Sequence, residues 1–212
     1  MKKVNTVRVK MWGTTVGYLH QEDNGLVGFQ YDDEFLKSNI EISPVTMPLS
    51  NVTYSFRSLP EQTFYGLPGM VADSLPDRFG NIVINRYLES QGREPDSLSV
   101  IERLCYTGKR GMGALEYDPA YISDEDDVFD VNVNELYAFA KSVLSERAEL
   151  TFEANRELLW ADLVKLGTSP GGKRPKALIA INEADGSVKS GQAVLPEEQG
   201  CLCQPFREQL PV

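Results

Sequence analysis

Apolar and polar residues alternate from the start of the chain. Val7, Val9 and Met11 alternate with Arg8 and Lys10, and after Gly13 a second run follows, Thr15-Val16-Gly17-Tyr18-Leu19. Asp23-Asn24-Gly25 is a turn sequence, and Leu26-Val27-Gly28-Phe29-Gln30-Tyr31 comes after it. A period of two punctuated by Gly and Asn predicts strands, so the first third predicts a small antiparallel, barrel-like meander. Residues 32–37 predict one helical turn, and 44–59 predict irregular chain with short extended pieces.

The period then lengthens. Val71, Leu75, Phe79, Val83, Ile84, Tyr87 and Leu88 follow helical spacing across 68–91, but Pro76 and Gly80 interrupt it. Two helical pieces joined by a bend are expected there. Asp96 is placed to cap a helix holding Leu98, Ile101, Leu104 and Cys105, which Gly108 ends. Gly113-Ala114-Leu115-Glu116-Tyr117 predicts a short strand. Asn132-x-x-Glu135 begins a further helix with Leu136, Tyr137, Ala140, Val143 and Leu144 on one face. Another helix, over 155–166, carries Leu159, Trp160, Leu163 and Leu166 as a core stripe.

The 212 residues carry 21 Lys and Arg against 31 Asp and Glu, a net charge of −10. That balance argues against a general nucleic-acid binder, because neutralising phosphates needs a basic surface. Seven acids and no base lie in 116–130, which reads as a solvated loop and a domain boundary. No apolar run is long enough to span a membrane and no apolar segment follows the basic N-terminus, so a soluble, cytoplasmic protein is expected. Three cysteines give no disulfide framework: Cys105 reads as a core residue, and Cys201-x-Cys203 has no second pair. His20 is the single histidine, at a strand end, where a surface position is expected. Zinc sites and histidine-dependent nucleophiles therefore have little support.

One stretch is chemically suggestive: Gly167-Thr168-Ser169-Pro170-Gly171-Gly172-Lys173-Arg174-Pro175-Lys176. Paired glycines let backbone N–H groups converge on an anion, and the lysines add charge. It nearly fits a Walker A loop, but Arg174 stands where the magnesium-binding hydroxyl belongs. The context is inverted too, since this loop follows a helix and opens the apolar strand Ala177-Leu178-Ile179-Ala180-Ile181. Asp185-Gly186 turns that strand back toward Val188. A glycine loop feeding an antiparallel hairpin is closer to the way protein kinases cover nucleotide phosphates. By local sequence alone, an ordinary helix-to-strand connection built of turn residues is the competing reading.

The wider sequence resembles the HipA family of serine/threonine kinase toxins from type II toxin–antitoxin systems. The resemblance is carried in order by Val9-Lys10-Met11-Trp12-Gly13, Val16-Gly17-Tyr18-Leu19, Phe29-Gln30-Tyr31 and Phe35-Leu36. Met47-Pro48-Leu49-Ser50, Phe64-Tyr65-Gly66-Leu67-Pro68 and Leu75-Pro76-Asp77-Arg78 follow, then Gly113-Ala114-Leu115-Glu116-Tyr117 and the 169–178 loop. It implies an α+β fold: an N-terminal subdomain over 1–118, a partial kinase N-lobe over 119–195, and a divergent tail over 196–212. It also implies that Ser169, Gly171, Gly172, Lys173, Arg174 and Lys176 bind nucleotide. Ser169 matches the family's autophosphorylated serine; a phosphate there adds nearly two negative charges where those of ATP would sit. A role in persistence and a helix-turn-helix antitoxin as partner are implied as well, the antitoxin being the one that reads DNA.

The resemblance stops after Leu195. The catalytic Asp, the metal-binding Asn and Asp, and an apolar-apolar-Lys strand are expected of a kinase. Residues 196–212 match none of these and show no clear period, as if the coding frame had slipped or a stop had evolved. A truncated kinase toxin is therefore expected, with no catalytic residues of its own, weak ATP binding, and Mg only if a C-terminal lobe is supplied. Its uncovered apolar strand would favour self-association. A stand-alone regulatory module that binds an antitoxin or a separate kinase is the alternative.

Overall fold

A computed structural model describes residues 3–111, 113–122, 138, 160, 163–164, 176–181, 188–190 and 201–205. The chain divides into two compact units, Met1–Leu75 with Leu98–Ile122, and Pro76–Ser97 with Ser123–Val212.

The first unit is built on an antiparallel sheet. Strands β1 (Thr6–Met11), β2 (Thr14–Gln21) and β3 (Val27–Tyr31) form the expected meander. The two-residue β4 (Tyr54–Ser55) joins β3, and β5 (Leu115–Asp118) joins the far side of β1. The order is β4-β3-β2-β1-β5, an open row with β4 and β5 at its edges, so the expected barrel-like closure is absent among the described residues. β5 begins two residues later and ends one later than the expected 113–117, because its pairing with Arg8 through Met11 sets its length.

Alternation carries Val7, Val9, Leu19, Val27, Phe29 and Tyr31 into the core, with Arg8, Tyr18, His20 and Gln30 facing water. It breaks once. Val9 pairs with Gly17 but Lys10 pairs with Thr15, so Val16 is an extra residue, a β-bulge. The bulge resets the phase and lets both Val16 and Gly17 face inward. A methyl group on Gly17 would overlap the Gln30 carbonyl oxygen and lie 2.7 Å from the Phe29 ring.

Short helices cover the core side. Asp32 caps α1 (Asp33–Leu36) through the Glu34 N–H, and Phe35 stacks on Tyr31. α2 (Glu61–Phe64) and α3 (Gly69–Ala72) follow. α5 (Val100–Thr107) adds Ile101, Leu104 and Cys105 to the same core. Its cap is Ser99, which corrects the expectation for Asp96: Ser99 Oγ accepts from the Glu102 N–H at 3.1 Å and Glu102 accepts from the Ser99 N–H at 2.9 Å. This reciprocal pair satisfies two backbone donors at once. Asp96 instead sits in a left-handed turn (φ 59°), its carboxylate accepting from Asn85. Gly108 ends the helix as expected.

The second unit contains α4 (Arg78–Ser90), capped by Asp77, whose carboxylate accepts from the Gly80 N–H at 2.8 Å. α3 ends before Pro76 and α4 begins after it, the interruption of the helical run that Pro76 predicts. Phe79, Val83, Ile84 and Leu88 are its buried stripe. Ala138, Trp160, Leu163 and Val164 are helical where helices are expected, and the last three are buried. The rest of those two helices and the acidic loop beyond Ile122 lie outside the described residues. β6 (Lys176–Ile181) pairs antiparallel with β7 (Val188–Ser190), the expected hairpin. On its other side lies β8 (Cys201–Pro205), a strand in the tail that showed no period in sequence. Backbone pairing made it visible; Cys201-Leu202-Cys203-Gln204-Pro205 does not alternate apolar with polar residues and so gives no period-two signal.

Replacing Gly17 by Ala is expected to cost about 1–3 kcal/mol, because neither the Gln30 backbone nor the Phe29 ring can withdraw cheaply. Urea unfolding should show this as a lower midpoint with an unchanged slope. The Tyr31 hydroxyl donates to the Met47 carbonyl at 2.7 Å, and burial, with Tyr54 and Glu41 nearby, pushes it up to about 12. Its unfolded value is near 10, so its stabilising contribution is full below pH 10 and is lost as pH rises through 12. That loss is on the order of 2 kcal/mol. Stability curves above pH 10 should fall more gently in Tyr31→Phe than in the parent.

Candidate functional site

The water-facing side of the five-stranded sheet holds a row of polar residues in register. Asp118 on β5 pairs with Arg8 on β1, Arg8 with Tyr18 on β2, and Tyr18 with Gln30 on β3. Strand pairing alone places these four side by side. Arg8 and Lys10 both approach the Asp118 carboxylate at 3.6 Å. The Tyr18 hydroxyl donates to Asp32 at 3.3 Å, and Gln30 donates to Asn51 at 3.2 Å and accepts from Thr53 at 3.4 Å. Exposed contacts of this kind contribute at most about 1 kcal/mol each. His20, exposed as expected, meets the Thr6 hydroxyl at 2.7 Å and no carboxylate in any described contact. The face can offer hydrogen bonds and charge; its hydroxyl–imidazole pair, Thr6 with His20, has no carboxylate among the described contacts to orient the imidazole.

At one end of this face the β1–β2 hairpin turns through Trp12 and Gly13, both at positive φ (50° and 78°). Such a pair suits a two-residue hairpin loop, but Trp has a Cβ and gains nothing locally by adopting it. Its side chain is 79% exposed. Sequence reasoning passed over this tryptophan. The available signal was a residue-Gly pair set between two alternating runs.

A buried polar group ties α5 to the end of the sheet. Glu102 is 6% exposed, with one carboxylate oxygen capping the helix and the other accepting from the Tyr121 hydroxyl at 3.1 Å. The Tyr121 N–H donates to the Cys105 carbonyl, and the Tyr117 N–H to that of Gly108. Buried Arg110 donates to the Tyr106 carbonyl at 2.9 Å. Burial pushes the Cys105 thiol up to about 12, with the Glu102 and Asp118 charges adding to the effect. Burial first, then Glu102, also raises Tyr121. Both shifts favour the neutral form, so this cluster is a brace and Cys105 is a poor nucleophile.

Of the residues expected to bind nucleotide, Ser169, Gly171, Gly172, Lys173 and Arg174 lie outside the described residues. Lys176 opens β6 opposite Pro205 of β8. Cys203 stands opposite Leu178 and Cys201 opposite Ala180. Among the described residues no cluster of three His, Cys, Asp or Glu could hold a metal, and no helix is long and apolar enough to cross a membrane.

A family model described as the HipA N-terminal domain matches residues 7–118, about half of the chain and the segment from β1 through β5. The search of curated proteins returned no match.

Alkylation mapped by peptide should leave Cys105 unmodified by iodoacetamide at pH 8 until denaturant is added. Labelling at the rate of a free thiol in the folded protein would show that the brace around Glu102 does not shield it.

Proposed function

The chain belongs to the HipA family through the domain at residues 7–118, and from that membership we propose that it is the docking and phosphate-loop portion of a serine/threonine kinase toxin. In this reading residues 7–118 are a protein-recognition domain. Their water-facing side offers hydrogen-bonding groups and an exposed aromatic, and its partner is a helix-turn-helix antitoxin.

The loop 169–176 then receives phosphate. Lys176 begins a strand whose antiparallel partner returns along Ile179 to Ile181, so one cation of the loop is anchored to a hairpin. Gly171 and Gly172 would present backbone N–H groups, Lys173 and Arg174 further charge, and Ser169 the autophosphorylated hydroxyl. ATP, when bound, supplies the phosphoryl group. No residue of 1–212 is assigned to metal binding or to activation of the accepting hydroxyl.

The family match over β1 to β5 is the observation that carries this reading. A second reading, a stand-alone module that restrains a separate kinase, is favoured by β8, which pairs with β6 over five residues and completes a small sheet. Self-association through the faces of β6 belongs to the first reading.

These 212 residues, given radiolabelled Mg-ATP and a serine-rich protein acceptor, are expected to transfer no label. Calorimetry should give a dissociation constant above about 0.1 mM, raised further in Lys176→Ala. Co-expression with the cognate antitoxin should yield a complex by sedimentation, and the same runs without it should show concentration-dependent association. Nanomolar Mg-ATP affinity, or failure to retain the antitoxin, would overturn the proposal.

A further inference from the structure

A quarter of the residues in this chain are charged, yet none lies from Ile42 to Phe56, the longest uncharged run in the sequence. Extending the run back to Ser38 adds one acid, Glu41. A long irregular segment normally meets water through polar and charged side chains. This one carries Ile40, Val45 and Val52, three of the six large apolar residues exposed among the described residues. Val45 is 92% exposed. The segment is irregular but tied down. The Ser43 and Thr46 hydroxyls share a hydrogen bond at 2.8 Å, and the Met47 N–H donates to the Ser43 carbonyl at 2.9 Å. Together they close a turn that holds Val45 between them. The Tyr31 and Tyr54 hydroxyls donate to the Met47 and Pro48 carbonyls, and Met47 itself is fully buried. The one acid is used within the segment, where Glu41 accepts from the Leu49 N–H at 3.0 Å. An apolar tip already fixed in place loses little freedom when it is covered, and binding is favoured by that saving.

Charge decides which partner such a tip fits. A different protein is selected through complementary charges, and this segment has a single carboxylate to offer. In a twofold contact between identical chains, residues near the axis face their own copies, so any charge placed there is repelled. Two copies of a chain with net charge −10 meet at least cost where the surface carries no charge. We propose that the segment 38–56 is a self-association surface, in which Val45 of one copy packs near Val45 of a second copy across a twofold axis. Twelve residues from Ser38 to Ser55 are exposed. That is fewer than the roughly 20–30 a side of a stable interface, so the dimer is weak and forms at about tens of micromolar. The inference depends neither on the phosphate-loop reading nor on association through β6.

The test is sedimentation velocity of the full 212-residue chain up to about 200 µM, with circular dichroism melts to establish that each variant is folded. Val45 faces water, so substitutions there leave the core intact. Val45→Asp and Val45→Lys are each expected to weaken association at least about tenfold. An equimolar mixture of the two should restore it, because opposite charges then face each other across the axis. Gln62→Glu on α2 is exposed and adds the same charge as Val45→Asp, and it should associate like the parent. A monomeric parent overturns the inference. So does parent-like association in Val45→Asp, which would leave the contact to another surface such as β6. An equal loss in Gln62→Glu overturns it as well, since a general charge effect would then suffice. Loss in both Val45 variants without recovery in the mixture also overturns it, because Val45 would then not be facing its own copy.

Discussion

The Phe29 ring occupies space that exists because Gly17 has no side chain. The β-bulge at Val16 turns two consecutive residues of β2 inward, and at the second of them the neighbouring strand passes so close that a single methyl group does not fit. Phe29 then meets Tyr31 edge to face, Tyr31 stacks on Phe35 of α1, and the Tyr31 hydroxyl fastens the irregular segment at Met47. A meander, a helical turn and a loop without regular structure are thereby joined in one core. Little of this comes from any single strong bond; it follows from close packing around a residue that contributes no volume.

The far side of the same core is closed by α5 and β5, about ninety residues later in the chain. The closing group is polar. Glu102 is nearly excluded from water, and both of its oxygens are used, one on its own helix terminus and one on Tyr121. A buried carboxylate costs stability unless its acceptors are filled, so the brace works as a unit: the cap orders the start of α5, and Tyr121 holds the chain that leaves β5. The neighbouring Cys105 thiol is kept neutral by the same burial, which makes it a core residue in chemical as well as structural terms. The opposite side of the sheet is left to solvated residues, so a braced core and a polar face are separated by the thickness of one sheet.

The second unit presents a different problem. Its hairpin β6–β7 is legible from the apolar run Ala177 to Ile181, whereas β8 is recognised by its pairing along the other edge of β6. A free strand edge pairs with whatever extended chain can reach it, since main-chain hydrogen bonds do not depend on side-chain identity. Cys201-Leu202-Cys203-Gln204-Pro205 meets that condition by pairing with Lys176 through Ala180.

Periodicity and turn residues were sufficient to read β1 to β3, the turn at α1, the break between α3 and α4, the stop at Gly108 and the β6–β7 hairpin. All of these depend on residues within a few positions of one another. The family was legible from motifs spread along the first half of the chain. Only the tertiary structure decided the rest. The Ser99 cap was written locally, as Ser99-x-x-Glu102; the tertiary structure added the burial of Glu102 and its second partner, Tyr121. The polar row from Asp118 to Gln30 required β5 to find β1 across more than a hundred residues. Trp12 became conspicuous only once the hairpin fixed its backbone and left its ring in water. In each case the deciding contact joins residues distant in sequence or depends on burial, and neither is encoded in a local pattern.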